Sequence, residues 1–129
     1  MKLSRKSVGK PQAMPTRVKT LPRFDDRLEA LEKKYHNAVD QAEKFTGRLE
    51  RGERPGNIVP GLGAAIYKAR VRNPAVKGGA RKGYRIIYYV IVSDEIYLLT
   101  MYSKSQQKDI SAAELKRLAA AAEARHQRK

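Results

Sequence analysis

No cysteine occurs in the 129 residues. That excludes disulfides and thiolate-bound metals, and a reducing cytoplasm is the compartment that fits. Long apolar runs are missing too. Nothing approaches the roughly 18 residues that a membrane-spanning helix needs, so no membrane partner is expected. The first residues are charged but no apolar stretch follows them, which does not make a secretory signal. Pro11 and Pro15 interrupt the amphipathic helix that an organelle-targeting peptide needs. Histidine is scarce. His36 falls at a helix junction and His126 in a tail expected to fray, with no carboxylates at metal-ligand spacing. No metal and no cofactor are expected. Gly61, Gly63, Gly78 and Gly79 do not have the spacing of a phosphate-binding loop.

Acids are in short supply: 13 stand against 28 lysines and arginines, a formal net charge of +15. Such a balance favours a polyanionic partner without specifying a fold. The charge is gathered in two blocks. Residues 1–24 carry Lys2, Arg5, Lys6, Lys10, Arg17, Lys19 and Arg23, and residues 55–92 carry Lys68, Arg70, Arg72, Lys77, Arg81, Lys82 and Arg85, with no acid in either. Residues 25–53 between them are mixed and close to neutral.

The apolar content of 41% suffices for one core. Residues 1–15, with two prolines and few apolar side chains, read as a flexible basic arm. Residues 16–129 read as a single domain. TRVKTL (16–21) alternates weakly and predicts a short strand before Pro22. Asp25 and Asp26 open a helical pattern carrying Leu28, Leu31 and Tyr35 on one face, with acids in the first turn as the helix dipole prefers. A break near His36–Asn37 starts a second helix with the stripe Val39, Ala42, Phe45 and Leu49, which ends at Gly52 and Pro55-Gly56. The two helices form a hairpin.

The period then changes. Residues 65–73, 83–92 and 95–102 are rich in β-branched and aromatic residues and predict three strands. YRIIYYVIV (84–92) is apolar on both parities, so its strand should be central and covered on both faces. Ser93-Asp94 should close an antiparallel hairpin, and residues 74–82 should form a mobile loop. SAAE (111–114) reads as a capping box for a last helix with Leu115, Leu118 and Ala122 on its buried face, fraying at residues 125–129. Asp94, Glu95 and Asp109 read as turn residues and a helix lead-in, not as a catalytic pair. The fold class is α+β: a small antiparallel sheet of three to four strands, an N-terminal helical hairpin on one face and a C-terminal helix.

Lys68, Arg70 and Arg72 alternate with Tyr67, Ala69 and Val71, so the three cations share one strand face. Like charges two residues apart repel, and such a stripe calls for an anion. Arg85 on the neighbouring strand joins it if the register allows. Lys104, just past the third strand, falls at its edge near Tyr102. Among the tyrosines, most are expected in the core, with Tyr102 the one placed to touch a base.

The residues PGLG (60–63), YKARVRNP (67–74), GYRIIYYV (83–90) and IYLLTMYSKSQQKDIS (96–111) resemble those of RelE/ParE toxins, and more narrowly of RelE-like and HigB-like members. The resemblance covers residues 16 to about 123. It implies a curved antiparallel sheet with two helices on one face and a basic, RNA-binding concave face on the other. It implies cleavage of mRNA in the ribosomal A site without a metal. It also implies a cognate antitoxin that covers this face or displaces the last helix, in a toxin–antitoxin hetero-oligomer. By position, Lys68, Arg70 and Arg72 match the family's basic strand, Arg85 the arginine of its central strand, and Lys104 the lysine after its last strand. Where the best-known member has an arginine after that lysine, this chain has Ser105. Where that member has a late catalytic tyrosine, this chain has Ser111. These departures leave a ParE-like, gyrase-directed toxin and a non-catalytic RNA- or DNA-binding module as alternatives.

Cleavage is chemically accessible to such a surface. RNA carries its own nucleophile, the 2′-hydroxyl, and a protein need only align it, take its proton and stabilise the developing charge. On this reading Arg72 and Arg85 clamp phosphate, Lys104 is catalytic with them, and Lys68, Arg70, Lys82, Tyr102 and Lys108 bind RNA. A lysine crowded by other cations could serve as base.

Overall fold

The computed structural model describes residues 16–128. The arm expected over residues 1–15 lies outside the described residues. Chain order is β1 (Arg17–Thr20), α1 (Pro22–Tyr35), α2 (Ala38–Glu50), β2 (Asn57–Ile58), β3 (Ile66–Val71), a 3₁₀ turn (Gly79–Lys82), β4 (Tyr84–Val92), β5 (Glu95–Ser103) and α3 (Ala112–Gln127). The class is α+β, as expected.

The strands form one five-stranded sheet in the order β1-β5-β4-β3-β2. The β2–β3, β3–β4 and β4–β5 pairs are antiparallel. The expectation of an all-antiparallel sheet of three or four strands needs correcting at both edges. β1 pairs parallel with β5, Arg17 opposite Glu95 through Thr20 opposite Leu98. β2 has only two residues, too short for any periodicity to show. It exists because Gly56, at a positive φ of 88°, brings the chain so close to β3 that a Cβ would collide with the Lys68 carbonyl.

β4 is central, as its two-sided apolar pattern requires, and it pairs with β5 across the Ser93-Asp94 turn. β5 is just as buried along its whole length. One face of the sheet lies under the α1–α2 hairpin, where Phe24, Leu31, Phe45 and Leu49 pack on Ala69, Val71, Tyr84, Ile86, Tyr88 and Leu98. The other lies under α3, where Leu115, Leu118 and Ala122 pack on Ile87, Tyr89, Tyr97 and Leu99. Burying these two layers is the main stabilising term, at roughly 25 cal/mol per Å² of apolar surface.

Local details differ from the sequence reading in four places. α1 begins at Pro22, whose missing N–H costs nothing in a first turn, so Phe24 joins the buried face ahead of Leu31. The α2 stripe is Ala38, Ala42, Phe45 and Leu49; Val39 is 37% exposed. Its place passes to Ala38 because α2 starts one residue after Asn37, and position 38 then falls under Phe45 at helical spacing. The capping box at the start of α3 is half made: Ser111 Oγ accepts from Glu114 N at 3.1 Å, but the Glu114 carboxylate pairs with Arg23 of α1. The end of α3 does not fray at Arg125. It stays helical through Gln127, with His126 Nδ1 3.2 Å from the buried Glu95.

Replacing Leu49 by Ala should lower unfolding free energy by about 2–5 kcal/mol, whereas Val39→Ala should stay within roughly 0.5 kcal/mol. Urea titrations of both variants, with unchanged m-values, check the stripe. Equal effects would return Val39 to the core.

Candidate functional site

Along β3, Ala69 and Val71 enter the core beneath the helical hairpin. Strand alternation therefore turns Lys68 and Arg70 to the opposite face, the one that α3 covers in part. The register settles where Arg85 belongs. Arg70 stands opposite Arg85 across β3–β4, and Arg85 stands opposite Tyr102 across β4–β5. Arg70, Arg85 and Tyr102 thus make one row across three strands on one face. Lys68, Arg70 and Arg85, with Gly56 and Asn57 at the sheet edge, line a polar cavity of about 270 Å³.

Arg85 is only 6% exposed. Its guanidinium donates to Ala80 O at 3.1 Å, Tyr84 O at 3.2 Å and Arg81 O at 2.8 Å. The segment expected as a mobile loop is thus fastened to the central strand. A guanidinium has five N–H donors; among the described residues three are used internally and two remain. Burial, and then the charge of Arg70, push the Arg85 pKa down, yet an arginine stays cationic at neutral pH.

The cationic patch is not free of acid, contrary to the sequence pattern. Asp109 supplies one. Lys68 Nζ donates to Asp109 Oδ1 at 2.9 Å, and Ile110 N donates to the same oxygen at 2.8 Å. Those two bonds, with the charges of Lys68 and Lys104, hold the Asp109 carboxyl below the usual range. The two side chains are 37% and 66% exposed. Such a pair is worth little in stability, and a ligand can open it. Asp109 is no mere lead-in to the helix. Only its place just beyond Lys104 and Lys108 hinted at this, and 41 residues separate it from Lys68.

The remaining candidates are placed as follows. Lys104 sits at the mouth of β5. Its N donates to Gly83 O at 2.9 Å and its Nζ to Lys108 O at 2.7 Å. Tyr102 is 1% exposed, so its ring has no face free for a base. Burial first, and then the Asp109 carboxylate, raise its pKa, while Arg85 opposes the rise. Arg72 lies one residue past β3 and Lys82 in the 3₁₀ turn; both are exposed. Lys108 is exposed as well. None of these three lines the cavity.

Ser105 hydrogen-bonds Ser103 at 2.8 Å and Tyr35 at 3.2 Å, and Ser111 caps α3. At the far end of β5, Glu95 is a fully buried strand residue, not the turn residue its sequence position suggests. It meets Arg17 at 2.9 Å, Lys19 at 3.5 Å and His126 at 3.2 Å. Among the described residues no group of three or more His, Asp or Glu converges as metal ligands would. No described helix is long and apolar enough to cross a membrane.

A sequence profile described as "RelE toxin of RelE / RelB toxin-antitoxin system" matches residues 19–129. The chain belongs to the RelE toxin family. A double arginine-to-alanine variant of the E. coli toxin RelE, in the free state, matches at 18% identity and a TM-score of 0.50, over 74% of this chain and 90% of that one. At that identity the likeness speaks for the fold, which is the RelE α+β fold with an open, curved sheet. The molecule is thus a toxin of the toxin–antitoxin kind, and RelE family membership brings with it an antitoxin partner.

Two measurements test this geometry. Arg85→Ala should destabilise the fold by about 1–3 kcal/mol, because three carbonyls lose their donor; thermal unfolding checks this, and an unchanged Tm contradicts it. The Asp109 titration has a definite sign. Its folded pKa is lowered, so the tie to Lys68 is complete above the ordinary carboxylate range and is lost as pH falls below it. The carboxyl ¹³C midpoint should move back up toward the ordinary value in Lys68→Met. No movement would show that Lys68 is not the partner.

Proposed function

We propose that this RelE-family toxin is an endoribonuclease that cuts mRNA in the ribosomal A site and so stops translation, in the cytoplasm, without a metal. One observation carries the reading: Arg70 and Arg85 stand opposite each other on one face, with Lys68 two residues along the strand. Two adjacent guanidinium groups match the oxygens of one phosphate. Asp109 pairs with Lys68 and with neither arginine among the described residues, so their mutual repulsion persists in the free protein and an incoming phosphodiester is attracted.

In this reading Arg70 and the two spare donors of Arg85 hold the scissile phosphate and stabilise the charge that develops on it. Lys104 supplies positive charge at the mouth of the cavity. Arg72, Lys82 and Lys108, exposed around the cavity, meet flanking phosphates, and the +15 net charge speeds the encounter with ribosome-bound RNA. Tyr102 flanks Arg85 on the neighbouring strand. The attacking group is the substrate's own 2′-hydroxyl, which the clamp aligns. A cognate antitoxin would silence the site by covering the cations or by moving α3, which flanks them.

Arg70 gives the cleaner test, since it is exposed and makes no hydrogen bond or ion pair among the described residues. Induced wild type should produce cuts within the codons of translated mRNA, mapped by primer extension. Arg70→Ala should cut about 10–100-fold more slowly with unchanged thermal stability, as expected for one lost charge-assisted bond. Intact mRNA together with a DNA-damage response would overturn the reading in favour of a gyrase-directed toxin.

A further inference from the structure

Cleavage through the 2′-hydroxyl needs a group to accept its proton, and the cations of the site are poorly suited to that. Arginine does not give up its charge. The Lys68 ammonium is a donor engaged with Asp109, and the Lys104 ammonium donates to the Lys108 carbonyl. Tyr102 is buried, with its pKa raised, so its hydroxyl keeps its proton at neutral pH. Ser105 and Ser111 occupy the two positions where the chain departs from its best-known relative, and both are engaged in structural hydrogen bonds.

Among the described residues Asp109 is a carboxylate held beside the cavity by its bond to Lys68. Asp109 uses Oδ1 for both of its bonds, to Lys68 Nζ and Ile110 N, and Oδ2 accepts none among the described residues. The side chain is 66% exposed, so a substrate can reach it. Through Lys68 it is anchored to the cation that lines the cavity with Arg70 and Arg85. We propose that Asp109 is the general base of the RNA cleavage reaction, acting through Oδ2 while Lys68 and the Ile110 amide hold Oδ1; this rests on the endoribonuclease reading above.

Asp109 Oδ2 takes the proton of the 2′-hydroxyl as the 2′-oxygen forms its bond to phosphorus. The P–O5′ bond breaks, its electron pair leaves on the 5′-oxygen, and that oxygen takes a proton from solvent water at the open side of the cavity. Asp109 then returns its proton to solvent. The products are a 2′,3′-cyclic phosphate and a 5′-hydroxyl end. The groups that face Asp109 are Lys68 from β3, Lys104 from the loop after β5, and Tyr102 from β5 with Arg85 behind it on β4. The lysines keep the carboxylate ionised at neutral pH. That makes it a weaker base, and alignment by the arginine clamp compensates.

The test uses purified full-length toxin on preformed ribosome–mRNA complexes, in single-turnover cleavage and equilibrium binding. Asp109→Asn should cleave about 10²–10⁴-fold more slowly, the usual size of a general-base contribution. It should bind the complex at least as tightly as wild type, since a negative charge beside the phosphates is gone. Asp109→Glu should recover part of the rate. The wild-type rate should fall on the acid side of the ordinary carboxylate range, and that limb should be missing in Asp109→Asn. Asp109→Asn cleaving at the wild-type rate or faster would overturn the proposal and leave Asp109 as a stand-in for phosphate. Loss of binding and thermal stability in parallel with rate would overturn it in favour of a structural latch. If wild type itself makes no cut, the endoribonuclease reading falls and this proposal with it.

Discussion

Three antiparallel strands locked in one register hold Arg70 beside Arg85 and Arg85 beside Tyr102. Side chains alternate faces strictly along a strand, so a slip of one residue on β3 would send Lys68 and Arg70 into the hydrophobic layer beneath the helical hairpin. The apolar residues between the cations prevent that slip. Ala69 and Val71 are held in the hairpin core, and burying them fixes where their charged neighbours point. The cationic face is thus enforced by what is packed behind it.

Placing two guanidinium groups opposite each other is unfavourable, and the molecule offsets the cost in two ways. Arg85 is satisfied by three backbone carbonyls, which anchors the 3₁₀ turn and keeps the side chain in place when no ligand is bound. Asp109 reaches back to Lys68 and reduces the net charge of the cluster. The first device is buried and durable. The second lies at the surface, where ion pairs are weak and exchangeable. For the proposed binding of a polyanion this division is favourable, with a rigid cation beneath and a displaceable anion at the rim.

Chemistry at such a site need not repeat that of its best-known relative. The likeness to the E. coli toxin carries the fold, at 18% identity. The two serines at points of departure have hydroxyls that serve a hydrogen-bond network with Tyr35 and a helix cap. The chain's own titratable residue at the rim, Asp109, comes from the loop between β5 and α3. That loop is tied to three elements: Lys104 N bonds Gly83 O just before β4, Lys68 of β3 holds Asp109, and Arg27 of α1 donates to Gln107 Oε1 at 3.5 Å.

Much of this was legible in the sequence. Helical and strand periods are local properties of the chain, and they gave α1, α2, β3, β4, β5 and α3 nearly in place, with β4 central because both of its parities are apolar. The alternation of Lys68, Arg70 and Arg72 showed that cations would share a face. Other features could not be read locally. β1 and β2 are short edge strands whose pairing depends on distant backbone. Arg85 joined the row only once cross-strand register was known. Arg72 shares the parity of the stripe, but β3 ends one residue before it. Asp109 and Glu95 looked like turn residues because nothing near them in the chain marks their partners, Lys68 in one case and Arg17 with His126 in the other. The sequence by itself determined which elements form and which residues they bury, since hydrophobic periodicity acts over a few residues. Tertiary structure alone decided which charges meet, since ion pairs depend on distances in space between side chains tens of residues apart.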